Sequence, residues 1–372
     1  MSSRVNKLNF VQSAYTPHGA DFISSIRNTS NLEVIPWYPS CSSSIYGFSS
    51  INVSQDSSTI LYGSFSGMLE LLRQGSRKNS GGWLIAGWSS FSIKLLILIL
   101  VVSKREFGLW VDIPLDHEKN VTFSRKILYL LLKCSRATVF CVGQRALESL
   151  KDIGFKDSAL KNMRITLSPR VAERSLSAQA AIRTRFGVPK DAFVITTGSR
   201  LIKDKGFDIL VRAVSLLSQN EIESIHVVIV GKGEREKELL ELIDIYDLSK
   251  RVKLIRWLEG ADFRELVSAS NLVVHPSRVD SYGGPTVVAL AEGVGVVGAT
   301  SAGSVAEIVI DGWNGQVYES EDVTELAAIL SKVLLDPGLA TTWAANMECL
   351  SRELLFTPVG MSNVLLSDLG IK

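Results

Sequence analysis

Short apolar runs alternate along this chain with longer stretches in which apolar positions recur at helical spacing. In the first half the strand-like runs fall at residues 8–13, 59–62, 83–86, 107–111 and 138–142, and helical segments such as 67–73 and 123–133 lie between them. The alternation stops from about residue 166 to 190, where Ser168-Pro169-Arg170, a polar helix and Gly187-Val188-Pro189 suit an interdomain connection. A second series follows, with strands expected at 193–197, 226–230, 252–255 and 272–275 and helices at 206–217, 234–246 and 261–268. Helices at 323–335 and 339–354 close the pattern. Strands that alternate with helices predict mostly parallel sheets covered on both faces, here in two Rossmann-like domains.

The second series is organised around residues 271–297. An apolar strand ends at His275, Pro276 and the Gly283-Gly284 pair break it into a loop, and an apolar run from Thr286 to Ala291 reads as a buried helix. A strand, a glycine turn and a helix N-terminus favour an anion, because backbone N–H groups converge there and the helix dipole adds partial positive charge. The loop after the strand at 193–197 presents Arg200 and Lys205, which suit a diphosphate; a solvated face is the plainer alternative. Gly231 and Gly233 follow the next strand and offer backbone amides at an expected helix start, without a full Walker or dinucleotide fingerprint.

In the first half, the loop at 15–20 places His18 and Gly19 at a strand's carboxyl edge, where open α/β sheets bind ligands. A second loop carries Asp112, Asp116 and His117, either as site candidates or as a solvated surface. Residues 40–58 are serine-rich and loop-like. The run 95–102 is apolar throughout but far shorter than the ~20 residues that span a bilayer, so it is expected to form a buried helix. Arg125, Lys126, Lys133 and Arg136 flank an apolar stripe at 127–132. That arrangement suits contact with anionic lipid, and a core helix with solvated ends is the alternative.

With 372 residues and 46% hydrophobic composition, each half can build its own core. A net charge of only +2 argues against nucleic acid as a partner. Cys41, Cys134, Cys141 and Cys349 lie scattered and read as reduced thiols of a cytoplasmic protein. The first ten residues lack the apolar region of a signal peptide. No cluster of His, Cys or carboxylates suggests a metal.

Four landmarks stand in order: Gly198-Ser199-Arg200 with Lys205-Gly206; Gly231-Lys232-Gly233; Pro276-Ser277 through Gly283; and Glu307 through Gly315. In this order they resemble the C-terminal domain of retaining GT-B glycosyltransferases of family 4, over about residues 190–335. The first half is similar more weakly, through residues 86–89 and 109–112. The resemblance implies two Rossmann-like domains facing a central cleft: an acceptor domain at 1–170, a connection at 171–190, a nucleotide-sugar domain at 191–335, and helices at 336–372 crossing back to the first domain.

It further implies a nucleotide-sugar donor, no other cofactor, and a glycan or lipid-linked acceptor, as in cell-surface polysaccharide synthesis. Arg200, Lys205, Asp280 and Asp112 would be catalytic, with Asp280 on donor-sugar hydroxyls. Gly19, Gly231, Gly233, Tyr282, Gly283, Gly284 and Glu292 would bind the donor. The protein would be cytoplasmic, with peripheral membrane contact through its N-terminal domain. Where the family places a second, ribose-binding Glu this chain has Val288, which cannot accept a hydrogen bond, and Glu292 lies one helical turn later. That departure keeps a non-catalytic subunit of a glycan-assembly complex open as an alternative, and a nucleotide-sugar epimerase is a third reading.

Overall fold

The computed structural model describes residues 7–13, 17–39, 58–88, 90–112, 123–170, 175–353 and 356–369. Asp116, His117 and most of the serine-rich stretch 40–58 lie outside them, as does the side chain of His18. The chain forms two compact units, Met1–Thr166 with Thr357–Lys372, and Leu167–Phe356.

Unit 1 carries a seven-stranded sheet in the order β3-β2-β1-β4-β5-β6-β7, parallel at every pairing. Its strands are β1 (Lys7–Gln12), β2 (Glu33–Tyr38), β3 (Ile60–Leu61), β4 (Gly82–Ala86), β5 (Glu106–Val111), β6 (Arg136–Cys141) and β7 (Leu160–Asn162). The helices are α1 (Pro17–Thr29), α2 (Phe65–Ser76), α3 (Phe91–Val102), α4 (Phe123–Lys133) and α5 (Gly143–Asp152). Helices α2 to α5 pack one face of the sheet through Leu71, Leu96, Leu128 and Ala146. Helix α1 takes the opposite face, where Phe22 meets Phe10 and Trp110, and α15 (Pro358–Asp368) packs beside it.

Strand β2 was not among the expected strands, and it contains Pro36. The proline is tolerated because β3 pairs only at Trp37 and Tyr38, which leaves the outer edge of β2 uncovered at residue 36. The run at 95–102 does form a helix, yet α3 is buried on one side only: Ile93, Leu96, Ile97 and Leu100 face the core, while Phe91, Leu98 and Val102 are exposed.

Unit 2 holds a six-stranded parallel sheet in the order β10-β9-β8-β11-β12-β13. Its strands are β8 (Phe193–Gly198), β9 (Ile225–Val230), β10 (Val252–Ile255), β11 (Leu272–His275), β12 (Val296–Ala299) and β13 (Gly315–Tyr318). Helices α7 (Phe207–Ser215), α9 (Glu236–Ile245) and α13 (Val323–Leu335) cover one face, and α10 (Gly260–Ser268) and α11 (Gly284–Glu292) lie on the other. Strand β9 is buried at all six positions, as a parallel strand covered on both faces must be.

The connection expected at 171–190 is instead docked on this unit from α6 (Leu176–Arg185) onward. The buried Arg183 donates to the carbonyls of Ala269, Lys190 and Ala192 and to Asn271 Oδ1. Of the closing helices, α14 (Gly338–Ser351) belongs to unit 2 and α15 to unit 1. The strand order of unit 2 reverses between β8 and β11. Loops beyond the carboxyl ends of two such strands form the binding crevice of open α/β sheets.

Candidate functional site

Two loops rise from β8 and β11 at this reversal. The first runs from Gly198 to Gly206 and ends in a single 3-10 turn, Lys203–Lys205; the second runs from Pro276 to Gly283 and leads into α11. Gly206 has φ +64° and a Cβ there would meet Pro276 O at 1.9 Å, so only glycine lets the loops approach this closely.

Arg278 holds them together. Its backbone N–H donates to Asp204 O at 2.7 Å, and its guanidinium forks onto both Asp208 oxygens at 2.8 and 2.7 Å while reaching Lys203 O and Glu321. Burial alone would raise the Asp208 carboxyl, but Arg278 holds it below its usual range. The sequence reading passed over Arg278, since one arginine in a polar loop carries no periodic signal.

Between the loops lies Asp280, 8% exposed. Its Oδ2 accepts from Lys205 Nζ at 2.6 Å and from His275 Nε2 at 3.3 Å, with Ser277 Oγ at 3.5 Å. A carboxylate only accepts, so Nε2 carries a proton, and Nδ1 lies 2.7 Å from the Thr286 hydroxyl. Burial alone would push the Asp280 carboxyl up; the His275 hydrogen bond and the Lys205 ammonium together hold it well below the usual carboxylate range. All three contacts fall on Oδ2, so Oδ1 has no protein partner among the described residues.

Lys205 is therefore not the exposed loop cation that the sequence suggested; its side chain is 11% exposed and paired. Arg200 is exposed, and its guanidinium makes no hydrogen bond or ion pair among the described residues. His275 and Thr286 were legible only as a polar residue ending an apolar strand and a threonine opening an apolar helix.

Gly283 has φ +104°, and a Cβ there would strike His275 Cε1 at 2.1 Å. The backbone thus lies directly over the His275–Asp280 pair. Gly284 next to it is exposed with open space around it, and Tyr282 is buried beneath the loop. The N-terminus of α11 is consequently exposed at Gly284.

Gly231 and Gly233 differ from expectation. Helix α9 starts only at Glu236, two residues later than expected, and the Gly231 N–H already donates to Ile255 O, so the Gly231 amide is taken.

Glu292 lies at the other end of α11, eight residues beyond Gly284 and so about 12 Å along the axis. Its buried carboxylate accepts from Arg264 Nε at 2.6 Å and from Arg170 Nη1 at 3.1 Å. Val288, halfway along, is half-buried. Gly19, buried in the first turn of α1, and Asp112, exposed after β5, belong to unit 1. No group of three or more His, Cys, Asp or Glu among the described residues could hold a metal ion, and no helix among them is long and apolar enough to cross a membrane.

The reversal-point loops carry an exposed Arg200 and lead into a glycine-opened helix. Residues 178–348 match the family Glycosyl transferases group 1. Among curated relatives, the D-inositol 3-phosphate glycosyltransferase of Salinispora arenicola is 31% identical over 185 residues, 48% of this chain and 41% of that protein. The lipopolysaccharide core biosynthesis glycosyltransferase LpsE of Rhizobium meliloti is 26% identical over 197 residues, 53% of this chain and 54% of that protein. The chain thus spans roughly two fifths to just over half the length of these relatives.

Among solved structures, Anabaena Alr3699/HepE in complex with UDP superposes with a TM-score of 0.79 at 19% identity, covering 98% of this chain and 99% of that one. WaaG, a glycosyltransferase involved in lipopolysaccharide biosynthesis, gives 0.69 at 12% identity, covering 96% and 99%. Likeness at such identities speaks to the fold, which is GT-B: two Rossmann-like units with parallel sheets.

Proposed function

We propose that this chain is a retaining glycosyltransferase that moves a sugar from a nucleotide-sugar to a glycan or lipid-linked acceptor in cell-surface polysaccharide synthesis. The observation that carries the reading is the loop pair of unit 2, where Arg200 and Asp280 Oδ1, both without a partner among the described residues, share one sheet edge with the open N-terminus of α11. Arg200, Lys205 and the α11 amides receive the diphosphate, and Asp280 Oδ1 accepts a hydrogen bond from a donor-sugar hydroxyl.

As the anomeric C–O bond breaks, negative charge gathers on the leaving phosphate, where these groups are worth most. The acceptor oxygen attacks from the same face and passes its proton to that phosphate. The curated glycosyltransferase relatives and the UDP complex of HepE support this reading and make a UDP-sugar the first donor to try. Asp112 and Gly19 keep their expected roles as part of the same proposal.

Stabilisation by UDP-, GDP- or ADP-sugars tests it first, since a ligand at a hundred times its Kd adds about 2.7 kcal/mol. Release of nucleoside diphosphate tests it second. Arg200→Ala is expected to lower turnover about 10²–10³-fold with unchanged melting, because the side chain is exposed. Full turnover in that variant, or no stabilisation by any nucleotide-sugar, would overturn the reading. Val288 favours one alternative, a non-catalytic subunit of a glycan-assembly complex, which no nucleotide-sugar would stabilise.

A further inference from the structure

The Arg278 side chain, 17% exposed, commits four of its N–H donors to the protein. Nη1 donates to Lys203 O at 2.9 Å and to Asp208 Oδ1 at 2.8 Å, Nη2 to Asp208 Oδ2 at 2.7 Å, and Nε to Glu321 Oε1 at 2.6 Å. These acceptors belong to three separate segments, and only a rigid planar fork reaches them together; a lysine ammonium is a single point charge. Glu321, in the loop after β13, has φ +68°, a left-handed backbone that residues other than glycine seldom adopt. Such a conformation persists where the surrounding bonds over-determine it.

What these bonds hold in place is the 3-10 turn Lys203–Lys205. Arg278 Nη1 takes the first carbonyl of the turn, and the backbone N–H groups of Arg278 and Val279 take the second, Asp204 O, at 2.7 and 3.2 Å. Lys205 is the next residue, and Asp280 lies two residues beyond Arg278. The turn that carries Lys205 and the loop that carries Asp280 are thus joined at their roots by one residue, while the two side chains meet at their tips at 2.6 Å. No hydrogen bond or ion pair among the described residues joins the Arg278 side chain to Lys205 or Asp280. Its influence on the pair therefore passes through the backbone of the turn.

We propose that Arg278 is a positioning residue: by fixing the Lys203–Lys205 turn against the Asp280 loop, it sets where Lys205 Nζ and Asp280 Oδ1 stand for a bound donor. Its effect on sugar transfer rests on the glycosyltransferase reading, in which Lys205 receives the diphosphate and Asp280 the donor sugar. A displacement of about 1 Å at such groups costs about 10²-fold in rate. Its hold on the Lys205–Asp280 pair does not depend on that reading and is open to test without any ligand.

A double-mutant cycle on the full chain, read as urea midpoints at pH 7, is that test. Lys205→Met is expected to lower the midpoint, since it leaves the buried Asp280 carboxylate with only His275 and Ser277. In an Arg278→Lys background, where the turn is no longer held, the same substitution is expected to shift the midpoint by less than about half as much. Asp208→Asn in place of Arg278→Lys gives the same comparison should that variant fail to fold. A merely structural tie lowers the midpoint and leaves the Lys205→Met shift unchanged, so additive shifts overturn the proposal. Transfer is the second readout. Arg278→Lys, assayed where it is fully folded, is expected to lower kcat about 10²-fold with the donor KM changed less than about threefold. Undiminished kcat in that variant also overturns the proposal, whereas absence of transfer by the unsubstituted chain counts against the glycosyltransferase reading and leaves the cycle to decide the role of Arg278.

Discussion

Helix α11 is apolar from Pro285 to Ala291 apart from Thr286, and α3 from Ile93 to Val102 apart from one lysine, yet α11 packs among α10, α12 (Gly303–Ile308), α14 and β11, while α3 has the sheet and two flanking helices on one side and solvent on the other. Composition alone does not separate them. Position in the fold does, because the connection before α11 starts at the strand-order reversal and the helix is roofed by the helices that follow it. One apolar helix thereby serves as a rigid mount for a polar loop, and the other leaves its hydrophobic surface available.

The contrast predicts a large difference between two chemically identical substitutions. Leu290→Ala, in a side chain 3% exposed, is expected to cost about 2–5 kcal/mol, whereas Leu98→Ala, 40% exposed, should cost less than ~1 kcal/mol. Urea unfolding of the two variants checks this, and equal midpoint shifts would mean that α3 is as enclosed as α11.

A finer test uses Val288, the half-buried break in the burial of α11. If nucleotide ribose lies against it, Val288→Glu should gain about 1.5–3 kcal/mol of binding, about tenfold or more in affinity by calorimetry. Glu292→Gln should leave affinity unchanged and lower stability, because it weakens the hold on Arg170 and Arg264. A loss of affinity in Glu292→Gln with unchanged stability would reverse the two roles.

The smallest expected effect is on pH dependence at the N-terminal end of α11. Asp280 is depressed in the folded state, so the unfolded chain binds the extra proton first, and stability rises with pH through that window. Its contribution is fully present above the unfolded value of about 3.9 and is lost as pH falls through the lower native one. Lys205→Met should flatten this acid limb in urea midpoints taken from about pH 5 downward to about pH 2. An unchanged limb would mean that the 2.6 Å pair does not govern the titration.

Local pattern carried much of this protein. Strands β10 and β11 and helix α4 fall at their expected limits, the two α/β series are both present, and the glycines at 283–284 do open a helix N-terminus. Strand β2 escaped, and the cost of its proline is set by the neighbouring strand. The four-residue β13 and the helix α5 escaped as well. Short elements draw their stability from what they pack against.

By itself the sequence determined the alternation of elements, the glycine loops at the sheet edge and the identity of the charged groups near them, since periodicity and turn chemistry act between near neighbours along the chain. Only the tertiary structure decided which charges meet. Lys205 is paired with Asp280 from 75 residues away, Glu292 is held by Arg170 across 122, and Arg200 has no partner among the described residues. Such pairings depend on strand order and loop approach, which a reading confined to local spacing does not contain.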